Sequence, residues 1–212
     1  MRDAYRAAGI EYLADAGQGF QEIICKKPVP DLDSLKGLKL KSYGPIWPKV
    51  LADLDATGVS IPGAELYEAL SRGTLDGAIF YISFAEPTKV SEVTKHYTWD
   101  SLRGAGIAGN IIINWEFFQS LPEDIQKILR DTSEEVTKDM YELDRDAAIA
   151  AKGSLITNTG ATFYEWTQED KDRLASLVTP YWTEWAKKMD AEGQPGSKAL
   201  ELFLKHLAKY EQ

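Results

Sequence analysis

Apolar and polar positions change period several times along the chain, and those changes divide it into elements. Three short apolar runs at 38–40, 59–61 and 78–82 are separated by segments with helical spacing. Each run is followed at once by small or polar residues suited to face a ligand. Short strands alternating with helices predict an α/β architecture with a parallel sheet and a binding site at the strand ends. Within this stretch Leu38-Lys39-Leu40-Lys41 alternates apolar and basic, the pattern of a strand with one exposed face. Pro45 and Pro48 stand where a helix begins, and Val50, Leu51 and Leu54 form its apolar face. Pro62-Gly63 makes a turn, 64–71 a helix with Leu66, Tyr67 and Leu70 inward, and Gly73 ends it.

Upstream, residues 2–8 read as the tail of a helix with Gly9 as its C-cap, 10–13 as a short buried strand, and 20–25 as another. Between those strands, 15–19 is flexible. Residues 26–33 hold two prolines and two aspartates, a loop, after which Asp33 or Ser34 caps a short turn to Gly37. Downstream, 90–93 reads as helical and 97–102 as an antiparallel or crossover strand. Ile111-Ile112-Ile113 reads as a central strand, by length and β-branching.

Ser120-Leu121-Pro122-Glu123 has capping-box spacing with proline in the first turn. From Ile125 through Ile128, Leu129, Val136, Met140, Leu143 and Ala147 one face stays apolar to about Lys152. About 30 helical residues extend roughly 45 Å, enough to span two domains or cross a partner. Leu155-Ile156 and 161–164 then flank Asn158-Thr159-Gly160, a turn or short connection. A helix from Thr167 through Leu174, Tyr181 and Trp185, a break at 193–196, and a final amphipathic helix through Leu200, Phe203 and Leu207 complete the chain.

The 212 residues suffice for one large domain or two small ones, and the net charge of −9 argues against nucleic acid and anionic membrane surfaces. Cys25 is the only cysteine, so neither an internal disulfide nor a cysteine zinc site is expected. No apolar run approaches the roughly 20 residues of a membrane span, and residues 1–8 carry no apolar signal-peptide core. His96 and His206 are not spaced for a triad or a metal, and His206 is expected on a solvated helix surface. Gly104-Ala105-Gly106 lacks the remainder of a phosphate loop. The pairs Asp31/Asp33 and Glu134/Glu135 fall in a loop and on a solvated helix face. No catalysis and no cofactor is expected.

Aromatic residues gather near the predicted C-terminal strand ends: Tyr43, Trp47, Phe80, Tyr81 and Phe84. With Lys41, Ser42, Ser83 and Glu65 they suit a pocket with apolar walls and a few polar anchors. For Trp47, Tyr67 and Phe80 a plain core role is the equal alternative.

These residues fall into a familiar order. Asp33-x-x-Lys36-Gly37-Leu38-Lys39-Leu40-Lys41, then Glu65-x-Tyr67-x-Ala69-Leu70-x-x-Gly73-x-x-Asp76-Gly77, resembles the solute-binding subunits of TRAP (tripartite ATP-independent periplasmic) transporters of the DctP type. Leu121-Pro122-Glu123-Asp124-Ile125-Gln126 resembles the start of that family's long helix. Pro180-x-Trp182-x-x-Trp185 with Gly193-Gln194-Pro195-Gly196 resembles its C-terminal end, so the match runs from about Tyr5 to Tyr210.

The resemblance implies a periplasmic-binding-protein-like fold of two mixed α/β lobes with a long connecting helix, the first lobe lacking its N-terminal part. On this division residues 1–29 are the remnant of the first lobe and a crossing strand. Residues 30–120 are the second lobe, 121–153 the spanning helix, and 154–212 the strand and helices packing back. It further implies a periplasmic location, a small organic acid as ligand and TRAP membrane permease subunits as partners. An incomplete first lobe would leave sheet edges and apolar surface open, so a homo-oligomer is expected. Many members hold a carboxylate with an arginine where this chain has Lys41, and a second family arginine aligns with Gln21. The family's asparagine after Asp76-Gly77 is replaced around Phe80, and the aromatic before Glu65 is Gly63. These departures favour a ligand with an aromatic or apolar body. The expected ligand-binding set is Gln21, Lys41, Ser42, Tyr43, Trp47, Gly63, Glu65, Phe80, Tyr81 and Phe84. The alternative expectation is a non-transporting oligomeric scaffold derived from the family.

Overall fold

The computed structural model describes residues 2–16, 20–102 and 109–207. In chain order the elements are α1 (Arg2–Ala7), β1 (Ile10–Ala16), β2 (Gln21–Cys25), β3 (Lys39–Lys41), α2 (Trp47–Asp53), β4 (Thr57–Val59), α3 (Leu66–Ser71), β5 (Gly77–Tyr81), β6 (His96–Thr98), β7 (Gly109–Asn114), α4 (Trp115–Ser120), α5 (Glu123–Thr159), β8 (Thr162–Tyr164), α6 (Gln168–Ala191) and α7 (Gly196–Leu207). Single 3-10 turns lie at Leu32–Leu35, Gly63–Glu65, Ile82–Phe84 and Val90–Glu92. The expectations for 17–19, for Gly104-Ala105-Gly106 and for the His206 side chain fall outside the described residues.

Six strands form the main sheet in the order β4-β3-β5-β2-β6-β8. Strand β3 runs parallel to β4 and β5, whereas β2 runs antiparallel to β5 and β6. Alternation along the strands divides the core into two layers. Ile23, Cys25, Leu40 and Ile79 meet Val50, Leu51 and Leu54 of α2, Leu174 of α6, Leu32 and Leu35 on one face. Ile24, Ala78 and Phe80 meet Leu66 and Leu70 of α3, Tyr97 and Leu155 on the other. Covered on both faces, β2 and β5 are buried at every position, which is why 78–82 reads as an unbroken apolar run.

Several local expectations shift. The turn at Leu32–Leu35 is capped by Asp31, whose Oδ1 accepts from the Ser34 backbone N–H at 2.8 Å, and not by Asp33 or Ser34. Strand β4 ends at Val59 where the sequence placed a strand over 59–61, because Pro62 bounds the pairing to β3 and the register closes at Lys41↔Val59. The triple isoleucine is not a central strand. Among the described residues β7 pairs only with β1, antiparallel, with Leu13 as the extra residue of a bulge, and Ile111 and Ile112 are exposed. β-Branching encodes an extended backbone but not the number of neighbours.

Helix α5 is longer than its apolar stripe predicts. It has 37 residues, about 55 Å at 1.5 Å each, and ends at Gly160 in the left-handed conformation with φ 68°. Leu155 and Ile156 are therefore helical, and burial of Leu155 under the main sheet offsets the weak propensities of Gly153, Thr157 and Asn158. The start also differs. Ser120 ends the short helix α4, donating from Oγ to the Phe117 carbonyl, and α5 begins after Pro122 with no side-chain cap. Near its start α5 is tied to the two-stranded sheet. Glu11 of β1 is fully buried and accepts from Arg6 Nε and Nη2 (2.6 and 2.9 Å) and from Arg130 Nε (3.1 Å). The two guanidiniums hold its carboxyl below the usual carboxylate range, the Arg6 hydrogen bond first. One helix thus grips both sheets.

Helix α6 is capped as expected, Thr167 Oγ1 accepting from the Asp170 N–H. Trp182 meets Phe203 edge-on at 5.5 Å, which joins α6 to α7. A β-carbon on Gly196 would lie 2.3 Å from the Ala186 carbonyl oxygen, so only glycine lets α7 start this close to α6.

Candidate functional site

Parallel alignment of β4, β3 and β5 brings their C-terminal ends to one edge, and the antiparallel β2 adds its N-terminal residue there through the pair Gln21↔Tyr81. Such an edge is where open α/β sheets bind ligands. Lys41, Ser42, Tyr43, Tyr81, Phe84 and Gln21 all belong to it.

Lys41 departs from the alternation that predicts it to be exposed. Lys39 is exposed, but Lys41 is only 1% exposed. Its ammonium lies 3.3 Å from the centre of the Tyr43 ring, and no carboxylate among the described residues is within ion-pair distance of it. Burial pulls the Lys41 pKa down to about 8. Tyr43 continues into an aromatic row: its ring stands 6.4 Å from that of Tyr81, which meets Phe84 edge-on at 5.8 Å. Phe84 itself is half exposed. Burial also raises the Tyr43 phenol.

Two further buried polar atoms have no partner among the described residues. The Gln21 amide Nε2 and the Ser42 hydroxyl make no hydrogen bond among the described residues. A buried polar atom left unpaired costs about 1–3 kcal/mol. All three donors lie at the same end of the sheet, Lys41 on the face of Ala78 and the Ser42 hydroxyl on the face of Gly58 and Pro48, where polar atoms of an incoming anion would satisfy them. Ser42 is held there by its N–H to the Val59 carbonyl (3.0 Å). Its Oγ would be 2.9 Å from a β-carbon on Gly58, so a larger residue at 58 would displace it.

The remaining expected residues lie elsewhere. Phe80 points into the apolar core with Leu66, Leu70 and Ile82, on the opposite face of β5 from Tyr81. Trp47 begins α2 and packs against the other core layer. Gly63 and Glu65 form the exposed 3-10 turn after β4, with open space around Gly63. Sequence reasoning missed the burial of Lys41. The signal available was Tyr43 two residues on, which extended backbone carries to the same side as Lys41.

Sequence reasoning also missed a second cavity, of about 250 Å³, lined by Phe20, Glu22, Trp99, Asp100, Arg145, Ala148 and Ile149. Glu22 is buried and accepts from Thr98 Oγ1 and from the Ser101 N–H at 3.4 Å. Burial pushes its pKa up to about 7 and outweighs those hydrogen bonds. Through this group the folded state holds more protons than the unfolded chain between about pH 4.5 and 7, and the stability Glu22 contributes falls as pH rises through that window. Glu22→Gln is expected to flatten this slope and to gain about 2 kcal/mol over the parent at pH 8, measured by urea denaturation across the pH range. A stability difference between Glu22→Gln and the parent that does not grow between pH 5 and 8 would contradict it. His96 forms no site of its own: its Nδ1 pairs with the Tyr164 hydroxyl at 2.9 Å.

Comparison with known proteins gives this edge its context. Residues 1–188 match the family model of DctP, bacterial extracellular solute-binding protein family 7. The C4-dicarboxylate-binding periplasmic protein DctP of Rhodobacter capsulatus is 29% identical over 198 residues, which cover 91% of this chain and 58% of that protein. The chain thus spans a little over half the length of this protein and of two further curated relatives. A TRAP periplasmic solute-binding protein from Desulfovibrio salexigens, solved with orotic acid, superposes with a TM-score of 0.83 at 21% identity, covering 98% of this chain and 66% of that one. One from Rhodoferax ferrireducens, solved with malonate, has the same TM-score and identity over 99% and 65%. These structures share the expected two-lobe, periplasmic-binding-protein-like α/β fold, and their similarity over nearly the whole chain shows that fold here. With the family match extending over most of its length, the chain belongs to the DctP family of bacterial extracellular solute-binding proteins.

Proposed function

We propose that the chain acts as the solute-binding subunit of a TRAP transporter in the periplasm, where it captures a small organic acid with an aromatic or apolar body. TRAP membrane permease subunits then take the ligand up by secondary transport. The observation that carries this reading is the buried Lys41 ammonium without a carboxylate partner among the described residues, at the same sheet end as the Gln21 amide and Ser42 hydroxyl, which also lack partners among them. Lysine offers a point charge without the arginine fork, which suits one carboxylate oxygen, and the two neutral donors are open to other polar atoms of the ligand. Tyr43, Tyr81 and Phe84 offer apolar walls to the rest of the ligand. Lys41 is the one cation among the expected site residues, so a second anionic group on the ligand gains little.

Isothermal titration with orotate, benzoate, malonate and D-glucuronate tests the reading. Ring-bearing monocarboxylates are expected to bind at least about tenfold more tightly than malonate, as one extra buried ring contact allows. A folded protein that gives no heat with any of the four would overturn it. That silence, together with association in light scattering, is the outcome of the alternative, a ligand-independent oligomeric scaffold. The exposed Ile111 and Ile112 of β7 with Ile125 and Ile128 of α5 favour such association.

A further inference from the structure

Resting on that reading, we propose that Tyr43 is a specificity-determining lid: its ring occupies the position over Lys41 that a ligand's anionic group must take, and so discriminates against compact carboxylates. The ring centre is 3.3 Å from Nζ, so the ring covers the ground in which a carboxylate oxygen at about 2.8 Å would stand. Lys41 is buried between β4 and β5, with Val59 and the small Ala78 as register partners, so no other described group neutralises it. Tyr43 therefore stands in for the absent counter-charge through the negative face of its ring.

The lid is built to move. Tyr43 lies beyond the end of β3 and is only partly buried. Gly44 follows it in the left-handed conformation, with φ 63° and open space where a β-carbon would be, and Pro45 is exposed. A displaced ring loses its cation. A ligand that brings its own ring lets Tyr43 stack on it and stay within the row of Tyr81 and Phe84, whereas a compact diacid leaves it exposed. The lid taxes every anion, and ring-bearing ligands recover most of that tax.

The test uses the whole chain with Tyr43→Ala and Tyr43→Phe. Malonate and orotate are the titration probes, and the Lys41 side-chain resonance is followed against pH in 13C-lysine protein without ligand. Tyr43→Ala is expected to tighten malonate binding by about tenfold and to narrow the preference for orotate, the scale of a desolvated cation–ring contact. Tyr43→Phe, which keeps the ring, retains the parent's preference. The Lys41 resonance titrates at a different pH in Tyr43→Ala and as in the parent in Tyr43→Phe. An orotate-to-malonate ratio unchanged in Tyr43→Ala overturns the lid, as does an unmoved Lys41 titration. Absence of heat with both probes in all three proteins overturns the functional reading, and the lid contact is then judged on the Lys41 resonance alone.

Discussion

Lys41→Met will abolish carboxylate binding and, in the same protein, raise its stability at neutral pH. Losing the ammonium removes a charge-assisted contact in a desolvated site, about 3 kcal/mol or at least a hundredfold in affinity. Stability moves the other way because the folded state holds a buried cation with no carboxylate partner among the described residues. The Lys41 pKa is near 8 in the folded protein, below the ordinary lysine value of 10.5, so the unfolded chain binds more protons between those values. The parent therefore gains stability as pH rises from 8 to 10.5, by about 3 kcal/mol from this group, and pays the full penalty below pH 8. Methionine keeps the stem volume and carries no charge, so the variant starts higher and lacks that rise. Titration with orotate and urea denaturation at pH 7 and pH 10 measure both halves. A methionine variant less stable than the parent at pH 7 would show that Lys41 is stabilised by something other than its ligand.

Gly77→Ala is expected to cost about 3–5 kcal/mol, among the largest effects of any single methyl group in this chain. Gly77 opens β5 between β2 and β3, paired with Cys25 on one side and Leu40 on the other. An added β-carbon would lie 2.3 Å from the Ile24 carbonyl oxygen, 2.4 Å from Cys25 Sγ and 3.0 Å from Leu40 Cδ2. A backbone oxygen inside a sheet cannot step aside, so the strands must part, and overpacking on this scale breaks ladder hydrogen bonds. The damage reaches the site, since β5 carries Tyr81 and the pairing of β3 to β5 holds Lys41. Gly63→Ala, with open space around it, is the control and should change stability by less than about 0.5 kcal/mol. Urea midpoints compared at equal slope report both. A Gly77→Ala protein within 1 kcal/mol of the parent would mean the sheet gives far more readily than its packing implies.

Cys25 beside Gly77 is inert by the same packing. It is fully buried, and that burial pushes its thiol pKa up to about 12.

Much of the scaffold was legible along the chain because its signals are local. Gly9, Gly73 and Gly160 have the positive φ that L-residues avoid, Thr167 has a side chain that caps its own helix, and the apolar spacing of α2 and α3 marks the faces they bury. The site was legible only in part. Residue types at the strand ends pointed to Lys41, Tyr43 and Tyr81, but not to which of them face one another. Phe80 and Tyr81 are adjacent in sequence and lie on opposite faces of β5, a separation set by the sheet register and not by composition.

The sequence by itself determined most of the places where the backbone turns, extends and coils, though not every boundary, because caps, glycine conformations and side-chain period act over a few residues. Only the tertiary structure decided burial and partnership. It left Ile111 and Ile112 exposed on a two-stranded sheet, carried α5 past Gly153 by burying Leu155, and sealed the Lys41 charge beneath the Tyr43 ring. Each of those outcomes depends on segments that meet from afar, and no window of sequence contains both sides of such a contact.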